Sequence, residues 1–151
     1  MSSREDTRTY RTTLRELESV TCDPVIPGDV GGWCESVDGA LKKVRTAWEP
    51  VLDTHRSAFR GILDINLELG GQVERLKESD SAASRTLAQV AAHLAEARRA
   101  CMDCRTSEEP VTEMESLRSD LLSWVAHARA HEREVDHWLI EASLRDSGYS
   151  E

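Results

Sequence analysis

No apolar run in this 151-residue chain approaches the roughly 20 residues that a membrane-spanning helix requires. The opening segment, MSSREDTRTYRTT, lacks the charged-then-apolar layout of a secretory signal, and the chain reads as soluble and cytoplasmic. Basic residues are the minority, 19 against 28 acidic ones, and the formal charge of −9 repels phosphate backbones and anionic lipid headgroups. Nucleic acid and membrane are thereby excluded as partners. Stretches alternating polar and apolar residues are missing too, which leaves no candidate strand. Aromatics are few, with four Trp, two Tyr and one Phe, while Leu, Ala, Glu and Arg recur as they do in helices.

Familiar catalytic signatures are absent as well. There is no glycine-rich phosphate loop, no G-x-S-x-G elbow and no Ser/His/Asp arrangement. The segment His131–Val135, H-E-R-E-V, departs from the metalloprotease pattern H-E-x-x-H at its last position, which rejects a peptidase. The chain is therefore expected to be non-catalytic.

What is present is helical periodicity. A first helix is expected from about Ser3 to Val20, with Tyr10, Leu14 and Leu17 on one face. Cys22 to Trp33, CDPVIPGDVGGW, reads as a Pro/Gly-rich loop. A second helix, about Cys34 to Arg60, carries the stripe Val37, Leu41, Val44, Trp48, Val51, His55 and Ile62, with Pro50 predicting a kink or a break. Gly61 to Gly71 should turn the chain round. The third helix, about Gln72 to Cys104, repeats the stripe as Leu76, Asp80, Ala83, Leu87, Val90, Leu94, Ala97, Cys101 and Cys104. After RTSEEP the last helix, Val111 to about Arg145, presents Leu117, Leu121, Trp124, Ala128, His131, Val135, Trp138 and Ala142. Four amphipathic helices with two short connections imply an all-α, up-and-down four-helix bundle. It is one domain, residues 1–32 supplying an N-terminal helix and loop packed on the bundle of 33–151.

His55, Asp80 and His131 interrupt three of these stripes where leucine would be ordinary. At about 1.5 Å per residue each lies roughly 30 to 36 Å from the end holding Cys34, Cys104 and Val111, so the three can share a layer. Imidazole and carboxylate suit iron, manganese or zinc, although a two-iron site wants more ligands than these. A buried hydrogen-bond network that fixes helix register is the plain alternative. His127 precedes His131 at i, i+4 spacing but lies beside the stripe, and Glu132, Arg133, Glu134 and His137 are expected to face water.

The four cysteines form a second candidate. Cys101 and Cys104 make a C-x-x-C at a helix end, where the dipole opposes a low thiol pKa and so a thioredoxin-like redox role. With Cys22 and Cys34 they could complete a four-thiolate zinc site clamping the loop, form a disulfide, or simply act as small core residues.

From Trp33 onward the chain resembles a bacterial hemerythrin-like (HHE) domain. The resemblance rests on a helix carrying His55, the turn GILDINLEL, the opening VERLKESD and the ending HEREVDHWLIEASLRDSG. In that ending a histidine is followed after eight residues by I-E-A, three residues and D-S-G. The resemblance implies a four-helix bundle around a non-haem di-iron centre that binds oxygen or senses oxygen and nitric oxide. His55 and His131 then match first- and last-helix ligands, Asp80 replaces a histidine, and Asp136 completes H-x-x-x-x-D with His131. Ala58 and Arg60 stand where glutamates are expected, and Ala97 ends the H-x-x-x-E that begins at His93. The ligand set is thus incomplete. The expectation is a divergent bundle binding one metal ion, iron or zinc, or none. Alternatives are a helical interaction module, with a protein partner or a second copy, and a zinc-stapled structural protein.

Overall fold

The computed structural model describes residues 3–26, 28–103 and 109–148. Among them are four α-helices: α1 (Ser3–Cys22), α2 (Val30–Ile65), α3 (Gly70–Asp103) and α4 (Glu109–Gly148). A 3-10 turn, Leu67–Leu69, links α2 to α3, and no strand is found among the described residues. None of the helices is long and apolar enough to cross a membrane.

The expected stripes are the buried faces. Every stripe position from Tyr10 to Leu17, Val37 to Ile62, Leu76 to Ala97 and Leu117 to Val135 is buried, with Trp138 half-buried and Ala142 buried beyond. The helices overrun their expected ends, however. Gly31 and Gly32 lie in the first turn of α2, Gly61 in its last turns, and Gly70 and Gly71 open α3. A helical glycine costs about 1 kcal/mol relative to alanine, and that is outweighed here by burial of Trp33, Ile62, Leu69 and Val73 beside them. The turn shrinks to Asn66–Leu69, where the Asn66 side chain accepts from the Glu68 amide at 2.9 Å.

Pro50 does not break α2, which runs through it as one helix. The lost hydrogen bond to the Thr46 carbonyl is tolerated because Ala47, Trp48 and Val51 are buried on both sides of the proline.

In the α1–α2 loop Gly28 adopts φ +93°, a left-handed conformation that favours glycine. A Cβ on Gly32 would lie 2.6 Å from Asp29 Oδ1, so glycine there lets the carboxylate fold over the start of α2.

Partners across each neighbouring pair run in opposite directions. From α2 to α3, Asp38 meets Arg98, Trp48 meets Ser84 and His55 meets Asp80. Across α1 and α2, Tyr10 stacks near Trp48 and Glu16 pairs with Lys43. His93 pairs with Asp120, and Asp80 bonds His131, between α3 and α4. α2 and α4 run parallel on the diagonal, Cys34 touching Met114 and His55 facing His131. The up-and-down topology follows.

Two apolar clusters fill the interior. The larger takes in all four helices from Tyr10, Val51, Ala83 and Ala128 up to Leu17, Trp33, Ala97 and Met114. The smaller joins Phe59, Ile62, Leu69, Val73, Leu76, Val135 and Ala142. His55, Asp80 and His131 lie in sequence at the boundary between the two on each helix.

Candidate functional site

The three polar stripe residues converge. His55 Nδ1 is 2.7 Å and His131 Nε2 2.6 Å from the same atom, Asp80 Oδ1. A carboxylate can only accept, so with Asp80 ionised each imidazole donates its N–H to that oxygen. All three residues are buried, at 5%, 7% and 3% exposure for His55, Asp80 and His131. One ligand atom from each lies within 4.8 Å of the others.

Burial raises the Asp80 pKa, yet the hydrogen bonds from His131 and His55 outweigh it and hold the carboxyl below its ordinary value. His131 Nδ1 is buried without a hydrogen-bond partner among the described residues. With Nε2–H committed to Asp80, the neutral ring leaves Nδ1 as an acceptor, and a protonated ring would leave a buried orphan donor.

Aromatic rings wall the layer. The His55 ring meets Trp48 edge-on at 6.0 Å, Phe59 at 6.0 Å and His131 at 5.4 Å. Trp48 in turn donates its indole N–H to Ser84 Oγ at 2.9 Å, and Trp124 donates to the Ala83 carbonyl at 3.0 Å. These bonds fix α3 against α2 and α4 immediately beside Asp80.

Two residues of the layer escaped the sequence reading. Glu132, expected to face water, is 9% exposed and accepts from Arg11 Nε at 2.8 Å. Its burial follows from α1, which covers that side of α4. Tyr10 contributes its phenol from α1, buried with no hydrogen-bond partner among the described residues. Burial raises its pKa well above the ordinary tyrosine value, and the charges of Glu132 and Asp80 add to the rise. The phenol is therefore a neutral member of this layer. An i, i+1 pair such as His131 and Glu132 can be buried together only where two neighbouring helices flank α4, a relation no single stripe reveals.

Asp136 does not join the site. It is exposed and pairs with Arg11 Nη2 at 3.5 Å. Five residues turn a helix by about 140° from His131, which aims Asp136 away from the interior. His127 is also exposed and borders a surface cleft with His93. His137 is exposed, as expected.

The cysteines do not assemble a four-thiolate centre among the described residues. Cys22 is exposed, Cys34 buried and Cys101 half-buried, and these three do not form a common ligand group. Cys104 lies outside the described residues. Burial pushes the Cys34 thiol up to about 11, with neighbouring Cys101 adding to the rise and Arg98 opposing it. Its Sγ contacts Met114 Sδ at 3.5 Å, as a small core residue does. The loop is instead held by Arg118, which donates to the Asp23 carbonyl at 2.7 Å and sits 5.8 Å from the centre of the Trp33 ring.

Comparisons of this chain with protein-family models, curated proteins and solved structures give no match.

Proposed function

We propose that this chain is a hemerythrin-like bundle with a reduced, mononuclear metal site, and that it acts by binding rather than by catalysis. The convergence of His55 Nδ1, Asp80 and His131 Nε2 on one point carries the reading. Two imidazole nitrogens and one carboxylate oxygen form the donor set that suits iron(II) or zinc(II). With Nε2 facing a metal, the proton of the His131 ring would sit on Nδ1, which finds no acceptor among the described residues. Glu132 and Tyr10 would surround the ion with one further carboxylate and a neutral phenol. A bound ion would supply open coordination positions for a small ligand. Its entry would require each imidazole to carry its proton on the nitrogen away from the ion, and because protons compete for the ligating lone pairs, affinity falls as pH drops.

The test is titration of chelator-treated protein with cobalt(II), zinc(II) and iron(II), read by elemental analysis and by cobalt absorption. One ion per chain is expected, and none in the variant His55→Leu/Asp80→Leu/His131→Leu, with helicity checked by circular dichroism. Equal metal content in wild type and variant would sink the reading.

A second reading, a helical interaction module whose polar layer only fixes register, is favoured by two observations. The 2.6 and 2.7 Å separations suit charge-assisted hydrogen bonds. Ile65, Leu67, Ile140 and Leu144 are also exposed near the ends of α2 and α4, as a contact face for a protein or a second copy would be. Under that reading the triple-Leu variant keeps the solution mass and partner binding of the wild type.

A further inference from the structure

Between α2 and α3 a cleft of about 630 Å3 opens to solvent and reaches Asp80 from outside the bundle. Four cations line it, Arg56 and Arg60 from α2 and Lys77 and Arg85 from α3. Asp80 is the lone acidic residue in the lining, although the chain as a whole carries −9. The lining itself therefore has an excess of cations, while Asp53, Glu74 and Glu78 stand just outside it as partners of three of them.

Compensation of Asp80 does not account for that excess. Its Oδ1 is already met by His55 Nδ1 at 2.7 Å and His131 Nε2 at 2.6 Å, and none of the four cations forms an ion pair with it. The cations are not locked in buried pairs either. Arg56 bonds Asp53, Lys77 bonds Glu74 and Arg85 bonds Glu78, and all six side chains are at least 49% exposed. Exposed pairs of this kind contribute about 1 kcal/mol or less, so an entering anion can exchange for them. Arg60 has no ion-pair partner among the described residues.

The wall behind these charges is apolar. Leu52, Phe59 and Leu63 stand on the α2 side, at helical spacing with Arg56 and Arg60 between them. Across the cleft Ser81 and Ser84 place hydroxyls on α3. An apolar strip formed by Leu52 and Leu63, flanked by four cations, matches a molecule that has one anionic end and a short hydrocarbon body. Its volume also falls within the range of small-molecule sites.

We propose that this cleft binds a small amphipathic anion, a carboxylate on an aliphatic or aryl body, with its head among Arg56, Arg60, Lys77 and Arg85. The body lies along the half-buried Leu52 and Leu63, with Phe59 packed behind them. The cleft cations and leucines are side chains other than His55 and His131 and do not depend on a metal, so the inference stands apart from the metal reading.

Octanoate titrated by calorimetry into the chelator-treated full chain tests it. Saturable binding at one site per chain is expected, with octanol and inorganic phosphate each about tenfold weaker or worse, a difference of about 1.4 kcal/mol. Arg60→Gln and Arg85→Gln, exposed changes on different helices, should each weaken octanoate several-fold, and Arg60→Lys should restore most of the loss. Octanol binding as tightly as octanoate, phosphate binding as tightly, heats indifferent to both glutamine variants, or no saturation at millimolar octanoate would each overturn the proposal. Because the protein is stripped of metal throughout, failure here leaves the metal titration unaffected, and the reverse also holds.

Discussion

Above the His55, Asp80 and His131 layer the core draws on all four helices and holds Trp33, Trp48 and Trp124; below it the core rests on three. α1 buries no residue before Tyr10, so the lower end has no fourth wall. Of the five large apolar side chains exposed among the described residues, Ile65, Leu67, Ile140 and Leu144 belong to that lower end, and Ile26 lies in the loop. The difference shows how one helix length divides a bundle into a thick, closed half and a thin, open one. It also places the polar layer where the interior changes from four helices to three, near the surface it would need for exchange with solvent.

The largest expected effect separates the halves by truncation. Leu121→Ala in the upper core should cost about 3 to 5 kcal/mol and Ile62→Ala in the lower core about 2 to 3, because a three-helix region relaxes more readily around a cavity. Urea unfolding midpoints check this, and equal losses would erase the distinction.

Next comes the layer itself. Asp80→Ala removes the shared acceptor of two buried imidazole N–H groups and should cost about 2 to 4 kcal/mol. The triple change of His55, Asp80 and His131 to Leu fuses the two apolar clusters, and its stability should equal or exceed that of the wild type. A triple variant markedly less stable than wild type would mean that the layer holds the halves together rather than dividing them.

Acid sharpens the same boundary. The folded Asp80 pKa lies below its unfolded value of about 3.9, so the folded state binds fewer protons at this site. Its contribution is fully present above that unfolded value and is lost as pH falls through the folded one. Asp80→Asn should flatten this acid-side loss in stability, measured by denaturation from neutral to strongly acidic pH. The smallest effect is Arg11→Gln, which removes the ion pair to half-exposed Arg11 from nearly buried Glu132. A loss of about 1 kcal/mol is expected, with faster amide exchange in α1 and little change in the lower half.

The stripes, the four-helix count and the inward placement of His55, Asp80 and His131 were legible in the sequence, because a period of 3.6 residues fixes which face is buried. Helix ends were less so: glycines and Pro50 weigh against a helix locally, and burial of Trp33, Ile62 and Trp48 decides otherwise. Glu132 and Tyr10 were missed as site members because the rotation of α1 against α4 is set by packing between segments more than a hundred residues apart in sequence. Cys22 shows the same limit. Counting along helices predicts a common height with Cys34, but not the direction in which the side chain leaves the bundle.

Trp48 offers a different use of the fold. One indole ring lies 5.5 Å from Tyr10 of α1, meets His55 of its own helix and Trp124 of α4 edge-on, and is tethered through its N–H to Ser84 of α3. A single chromophore thus reports on every helix at once. With Trp33 and Trp124 replaced by Phe, together with Trp138, its emission wavelength would read optically whether all four helices are docked at that level.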